Sequence, residues 1–103
     1  MILRSNIGID WGSMPTMKLK IYGVVQGVFF RAHTRKMALD LTLAGFVRNT
    51  PDGCVEVCAT GSRENLKSLQ DWCQKGPPSA RVDKVETCWD DADTNHHGFE
   101  IVR

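Results

Sequence analysis

The sequence predicts an α+β sandwich in which two helices cover one face of a mainly antiparallel sheet. The 103 residues have the length of one domain. Two stretches repeat apolar residues at helical spacing, and the short stretches around them alternate apolar and polar residues as half-buried strands do. Their order along the chain is β-α-β-β-α-β, followed by a short extra C-terminal strand. This order is typical of the ferredoxin-like arrangement.

The first half of the chain supplies a β-α-β unit. Residues 18–22 alternate and predict a strand. A loop over 23–27 follows, and apolar residues at helical spacing then predict a helix from about 30 to 43. We expect Gly45 to end this helix and residues 46–49 to form the second strand.

The second half repeats the pattern in the order β-α-β. Thr50-Pro-Asp-Gly53 is typical of a turn, and residues 54–60 alternate as a third strand. Ser62 is a suitable N-cap for a second helix over about 63–75. The Gly76-Pro-Pro78 sequence is expected to end that helix.

The remaining segments complete the predicted sheet. Residues 81–88 form a strand-like stretch with poor alternation, 89–98 form an acidic loop, and 99–102 form the final short strand. Residues 1–16 carry no periodic pattern, so we expect a mobile N-terminal extension. The folded domain is then expected to span residues 17–103.

Composition restricts the class of protein and its compartment. No apolar run approaches the roughly 20 residues that a membrane span needs, and the N-terminus lacks a secretory pattern. The four cysteines lack zinc-site spacing, so free thiols and a cytoplasmic location are expected, although a disulfide that includes Cys88 stays open.

Six cations and one anion lie between Lys18 and Arg48 in a chain of net charge +1. That segment is either a solvated charged face or the site of an anionic ligand.

The stretch from Ile21 to Arg31 favours the anionic ligand. It leaves a strand, passes Gly23 and Gly27, and enters a helix, which gathers backbone amides beside a helix N-terminus. The two glycines allow close approach of a ligand, and the Arg31 guanidinium presents a fork of donors that suits phosphate. A plain strand–helix turn with a surface arginine is the alternative.

Asn49 is the second candidate site residue. A helix of about 13 residues descends roughly 20 Å, and the following strand climbs back at about 3.3 Å per residue. Asn49 should therefore end near the level of the glycine loop, where its amide can hold a water beside a bound phosphate. The alternative is that Asn49 only begins the turn over residues 50–53.

Two longer motifs resemble those of a known family. The sequence Gly23-x-Val25-Gln26-Gly27-Val28-x-Phe30-Arg31 is similar to the first acylphosphatase signature. The sequence Gly45-Phe46-Val47-Arg48-Asn49, followed by Gly53-x-Val55 and Gly61, is similar to the second. The resemblance covers about residues 18–103, and Gly76-Pro-Pro-Ser-Ala80 also resembles the family.

The resemblance implies a ferredoxin-like fold and a metal-free hydrolase without cofactor. Its substrate would be a small acyl phosphate, and inorganic phosphate would be a product. Arg31 would bind and orient the phosphate, and Asn49 would position the attacking water. The phosphate would also be held by the backbone of Gly23, Val24, Val25, Gln26, Gly27, Val28, Phe29 and Phe30. Phe29 occupies a position that is often glycine in bacterial-looking members of the family, where bulkier residues also occur, and we expect it to alter loop packing rather than chemistry.

Two alternative functions stay open at this point. Ferredoxin-like sheets also occur in RNA-binding modules, and Lys18, Lys20, Tyr22 and Arg48 are predicted to share the exposed sheet face. Against this, the third strand places Glu56 and two cysteines where such modules carry aromatic residues. A non-catalytic phosphate sensor is the other alternative, because fold alone does not dictate activity. We expect a monomer without nucleic-acid or membrane partners.

Overall fold

The computed structural model describes residues 14–90 and 98–102. Their elements follow the predicted order β-α-β-β-α-β-β. In chain order they are β1 (Thr16–Val24), α1 (Phe30–Asp40), β2 (Ala44–Asn49), β3 (Val55–Thr60), α2 (Arg63–Cys73), β4 (Arg81–Asp90) and β5 (Phe99–Val102).

The strands form one five-stranded sheet in the order β4-β1-β3-β2-β5. All neighbouring pairs are antiparallel except β2 and β5, which run parallel. The predicted ferredoxin-like α+β fold and its extra C-terminal strand are confirmed. Because β1 and β2 run in the same direction on either side of β3, α1 returns the chain to the level at which β1 began, and β2 then ends near the level at which β1 ended.

The core lies between the sheet and the two helices. Along β1, Met17, Leu19 and Ile21 are buried, whereas Lys18 and Lys20 lie on the opposite face. The other elements except β4 also contribute buried members to this core; among them are Phe30, Ala38, Val47, Val55, Val57, Leu66, Leu69, Cys73 and Phe99. No helix in the described part of the chain is long and apolar enough to cross a membrane.

The boundaries of two strands differ from the prediction. β1 begins at Thr16, where the mobile extension was expected, because the Thr16 hydroxyl hydrogen-bonds to that of Thr60 at 2.8 Å and its side chain is fully buried. β4 continues to Asp90, into the predicted acidic loop. The rest of the predicted extension, residues 1–13, and residues 91–97 of that loop lie outside the described residues.

The prediction that Gly45 ends the first helix is wrong. The helix ends at Asp40, and Thr42 takes the left-handed conformation with φ 58°. Gly45 instead lies inside β2 with φ 143°, where a Cβ would come within 1.9 Å of the Cys58 carbonyl oxygen. Its conformation and its close approach to β3 both require glycine.

The second helix follows its predicted start and stop. The Ser62 hydroxyl accepts a hydrogen bond from the Asn65 amide at 3.2 Å, which is the predicted N-cap. At the other end, the Gly76 amide donates to the Trp72 carbonyl at 2.8 Å. Trp72 packs edge-on against Phe30, with 5.5 Å between ring centroids, so α2 supports the first residue of α1.

Candidate active site

The loop between β1 and α1 (residues 25–29) places free amides at a helix N-terminus. Within the described part of the chain, no backbone carbonyl accepts a hydrogen bond from an amide of residues 25–31. The first bond of α1 is donated by the His33 amide to the Phe29 carbonyl at 3.1 Å. Free amides and the positive end of a helix dipole together favour an anion.

The two glycines of the first motif have different roles. Gly27 has φ 74°, and a Cβ there would meet no atom of the described residues within 4 Å, so its backbone is open to a ligand. Gly23 lies in β1 at a register shift against β4, and a Cβ there would come within 2.1 Å of the Arg81 carbonyl oxygen. Gly23 therefore allows close contact between β1 and β4, a reason for glycine that the sequence did not indicate.

Phe29 is the N-cap residue of α1 and has φ 63° and ψ 21°. A bulky L-residue in this left-handed region costs about 1–2 kcal/mol relative to an ordinary conformation. Its side chain makes no cap hydrogen bond and is 75% exposed. The sequence prediction for Phe29 concerned the packing of the loop and did not include this backbone conformation.

Two side chains anchor the loop to distant parts of the chain. The Gln26 amide donates to the carbonyls of Thr50 and Cys54, each at 2.8 Å. The Ser79 hydroxyl donates to the Val28 carbonyl at 3.0 Å. Sequence reasoning missed both contacts, although Ser79 lies in the Gly-Pro-Pro-Ser-Ala stretch that resembled the family.

The turn after Asn49 is braced on its other side by Asp52. The Asp52 carboxylate accepts hydrogen bonds from the Thr50 hydroxyl and from Lys20 Nζ, the latter at 2.8 Å. The hydrogen bond from Lys20, helped by that from Thr50, holds the pKa of Asp52 well below its usual range. The Cys54 amide also donates to the Thr50 hydroxyl at 3.2 Å, which closes the turn.

Arg31 and Asn49 line one cavity of about 310 Å³, as the strand-length argument predicted. Both side chains are half-buried. No carboxylate of residues 14–90 or 98–102 forms an ion pair with Arg31. The Asn49 side-chain oxygen is buried, and no described residue donates a hydrogen bond to it. Within the described residues, the cavity thus combines a cation that has no carboxylate partner with an acceptor that has no donor.

The predicted phosphate-binding loop lines this cavity only in part. Val25, Gly27, Phe29 and Phe30 are among its lining residues, together with Ala32 and Ile101. Gly23, Val24, Gln26 and Val28 are not. The side chains of Gln26 and Val28 instead point to a supporting role, because Gln26 binds the turn after Asn49 and Val28 packs against the core.

Strand β5 contributes Ile101, which sequence reasoning did not assign to the site. Ile101 pairs with Val47 in the parallel register of β5 and β2. Arg35, on α1, donates to the Phe99 carbonyl at 3.0 Å and ties β5 to the helix that carries Arg31. The only available signal in the sequence was that Ile101 is an apolar residue in a short final strand.

The lining residues determine what the cavity can do chemically. Arg31 is their only charged member, and neither a carboxylate nor a histidine lines the cavity within the described part of the chain. His33 lies outside it, with Nδ1 3.1 Å from the Phe29 carbonyl oxygen. The arrangement suits binding of a phosphate dianion and placement of one water, and none of the described lining residues is suited to general acid–base catalysis.

A groove of about 600 Å³ lies on the open face of the sheet, about twice the volume of the Arg31 cavity. Two of its three cations lie beside carboxylates: Arg48 bonds to Glu56 at 2.7 Å, and Lys20 bonds to Asp52 at 2.8 Å. The groove is lined by Lys18, Leu19, Lys20, Phe46, Arg48, Glu56, Val57, Cys58, Glu86, Thr87 and Cys88.

All four cysteines are free in the structure. Cys54, Cys58 and Cys73 are buried, and Cys88 is exposed. Burial raises the pKa of the Cys54, Cys58 and Cys73 thiols, so these three are poorly reactive in the folded protein. The disulfide that the sequence left open for Cys88 is not formed.

Comparison with known proteins gives a consistent result. The Acylphosphatase family model matches residues 17–101. An acylphosphatase of Pelotomaculum thermopropionicum is 44% identical over 82 residues, covering 80% of this chain and 89% of that protein. One of Syntrophus aciditrophicus is 40% identical over 86% of this chain and 93% of its own length. The crystal structure of acylphosphatase from Bacillus subtilis superposes with a TM-score of 0.85 at 33% identity, covering 87% of this chain and all of that one.

Proposed function

Because this chain belongs to the acylphosphatase family, we propose that Arg31 and the free amides of the β1–α1 loop bind the substrate phosphate and that Asn49 positions the attacking water. The chain is an acylphosphatase, an enzyme that hydrolyses the carboxyl–phosphate bond of small acyl phosphates. One observation carries the proposed roles. Among residues 14–90 and 98–102, a half-buried arginine without a carboxylate partner and a buried asparagine oxygen without a donor line the same cavity.

Phosphate binding rests on the charge and the donors of the cavity. A dianion brought to Arg31 meets a guanidinium whose planar fork matches two phosphate oxygens. The free amides of residues 25–31 supply further donors beside the N-terminus of α1. Because these donors are held by backbone before the substrate arrives, little reorganisation is needed as charge develops in the transition state.

Placement of the water rests on the Asn49 oxygen. A water that donates one hydrogen to this buried acceptor is oriented with a lone pair free for attack on phosphorus. The phosphorus–oxygen bond to water forms as the bond to the acyl oxygen breaks. An acyl phosphate dianion and water thus give a carboxylate and a dihydrogen phosphate monoanion, so atoms and charge balance.

The chemistry requires few further groups. A carboxylate is a good leaving group and departs without protonation, so the lack of a cavity-lining acid among the described residues is no obstacle. We propose that a phosphate oxygen of the substrate accepts the proton released by the water. Phosphoryl transfer depends mainly on positioning and charge stabilisation, which Arg31, the amides and Asn49 supply.

The test is hydrolysis of benzoyl phosphate in ¹⁸O-labelled water, with and without EDTA. Attack on phosphorus places one label in inorganic phosphate and none in benzoate, and a metal-free mechanism leaves the rate unchanged by EDTA. Label in benzoate would show attack on the carbonyl carbon and would contradict the proposed role of Asn49. A rate abolished by EDTA and restored by a divalent cation would contradict metal-free hydrolysis.

We also propose a cytoplasmic monomer without a nucleic-acid partner. Four free thiols support a reducing compartment. On the open sheet face, the hydroxyl of Tyr22 donates to Glu86 at 2.6 Å, and Glu56 pairs with Arg48. Acidic groups on this face disfavour the phosphates of RNA. Size-exclusion chromatography with light scattering tests the monomer, and a salt-dependent RNA-binding assay tests the partner.

A further inference from the structure

Two exposed apolar side chains border the cavity that holds Arg31 and Asn49. Phe29 is 75% exposed, although it is the residue next to the start of α1, and Ile101 of β5 is 40% exposed. Both line the cavity, whose inner wall includes the buried side chains of Val25 and Phe30. Apart from Arg31, Asn49 and Gly27, the described lining residues of the cavity have apolar side chains.

We propose that Phe29 and Ile101 form a subsite for the acyl group and select acyl phosphates whose acyl part is apolar and planar, such as an aroyl phosphate. This inference rests on the proposed function, since it needs the phosphate to lie against the loop amides and Arg31. Three phosphoryl oxygens are then held by the protein, and the fourth carries the acyl group. The acyl group must then extend away from Arg31 and the loop amides. The cavity lining available to it includes Phe29 and Ile101.

The backbone of Phe29 is an independent observation that points the same way. A left-handed conformation disfavours a bulky side chain, and glycine would adopt it without that cost. Burial within the described residues does not compensate, because the ring is mostly exposed. Strain of this kind is concentrated at functional sites, where a ligand uses the side chain that the strain holds in place. An exposed ring beside a phosphate site has such a use if it contacts the acyl group.

Contacts of β5 with α1 and with β2 also determine the position of Ile101. Arg35 of α1 donates to the Phe99 carbonyl, two residues before Ile101, and β5 pairs with β2 up to the Arg48–Val102 register. β2 ends in Asn49, and α1 begins one residue before Arg31. Phe29, Ile101 and the two proposed catalytic residues are therefore all attached to α1 or to β2.

Selectivity between two substrates tests the subsite. We would measure kcat/KM for benzoyl phosphate and for acetyl phosphate and take their ratio, in the wild type and in Phe29→Gly, Phe29→Tyr and Ile101→Ala. Contact of an aroyl ring with Phe29 predicts that Phe29→Gly lowers the ratio roughly tenfold, whereas Phe29→Tyr retains it. Ile101→Ala, outside the loop, is expected to lower the ratio about threefold.

Val102→Ala is the matched control. Val102 is the next residue of β5, is 37% exposed and does not line the cavity, so its removal should leave the ratio at the wild-type value. The inhibition constant of inorganic phosphate is measured in every variant. A constant within about threefold of wild type in Phe29→Gly would show that the loop still binds phosphate and that the change concerns the acyl group.

The outcomes separate this inference from the function on which it rests. If the wild type hydrolyses both substrates but Phe29→Gly and Ile101→Ala leave the ratio unchanged, the subsite is overturned and the proposed function stands. An equal fall of the ratio in Val102→Ala would also overturn it. If the wild type hydrolyses neither substrate, the proposed function fails and the subsite fails with it.

Discussion

The cavity beside α1 and the groove on the open sheet face differ in how far their polar groups are satisfied. The groove is the larger, but its Arg48 guanidinium bonds to Glu56 at 2.7 Å. The cavity holds Arg31 without a carboxylate partner among residues 14–90 and 98–102, and an Asn49 oxygen without a donor there. Arg48 already has Glu56 as its anionic partner, whereas Arg31 has no such partner among the described residues. The smaller cavity is therefore the better place for phosphate.

The comparison teaches that unsatisfied polar groups, more than volume, mark an anion site in this fold. Leaving a buried acceptor without a donor costs about 1–3 kcal/mol, which a folded protein retains where a ligand or water uses the group. The two regions lie on opposite sides of the same sheet, so variants of matched residue types can test the difference directly.

The largest effect is expected for Arg31→Ala. Loss of the guanidinium should lower kcat/KM for benzoyl phosphate by about 10³-fold and weaken inhibition by inorganic phosphate. The reason is that the guanidinium is proposed to bind the phosphate in both the ground state and the transition state. The matched variant is Arg48→Ala on the sheet face, which removes an exposed ion pair and should change kcat/KM less than twofold. Equal losses in the two variants would remove the distinction between the two regions.

Asn49→Ala should lower kcat by about 10²-fold and leave the inhibition constant of phosphate within a few fold. The reason is that the Asn49 oxygen is proposed to hold the water and not the phosphate. Asn65→Ala is its control, because the side-chain amide of Asn65 donates to the Leu41 carbonyl at 2.9 Å and Asn65 does not line the cavity. That variant should lose about 1 kcal/mol of stability and keep its kcat. Wild-type turnover in Asn49→Ala would exclude the water-positioning role.

Gln26→Leu should have a smaller effect, on both rate and stability. Its two hydrogen bonds join the loop to the carbonyls on either side of the turn that follows Asn49. Without them, kcat/KM should fall by roughly tenfold as the loop and Asn49 lose their relative position, and the free energy of unfolding should fall by about 1–3 kcal/mol.

Gln70→Leu is the control for this change, since the Gln70 amide donates to the exposed Thr87 hydroxyl at 2.9 Å, away from the cavity. Urea unfolding and kcat/KM are measured for both variants. A rate loss that Gln70→Leu shares, or a purely structural effect of Gln26→Leu without loss of rate, would contradict a positioning role for Gln26.

The smallest effect is expected for Asp52→Asn, and it depends on pH. The folded-state pKa of Asp52 is lowered, chiefly by the hydrogen bond from Lys20, so the ionised carboxylate stabilises the folded state at pH values above the unfolded pKa of about 4. This contribution is lost progressively as the pH falls below about 4. The wild type should therefore melt slightly above Asp52→Asn at pH 6, and the difference should shrink towards pH 3. A difference that grows on acidification would have the wrong sign.

Local patterns in the sequence predicted the elements and the two proposed catalytic residues. The helical and strand periods, and the rise per residue of each element, are properties of short segments. They were sufficient to bring Arg31 and Asn49 to one end of the β-α-β unit, where the structure places both in one cavity. The Ser62 cap joins two residues only three positions apart, so it too is a local feature that the sequence could predict.

Only the tertiary structure decided what surrounds these two residues. Gln26 binds carbonyls 24 and 28 positions away, and Arg35 reaches a carbonyl 64 positions away, distances over which no local period extends. Gly23 and Gly45 each lie against the backbone of a neighbouring strand, whereas the sequence suggested approach to a ligand for Gly23 and a helix end for Gly45. The sequence therefore determined the order of the elements and the two proposed catalytic residues, whereas contacts between distant segments determined the shape of the cavity, the support of its loop and its apolar lining.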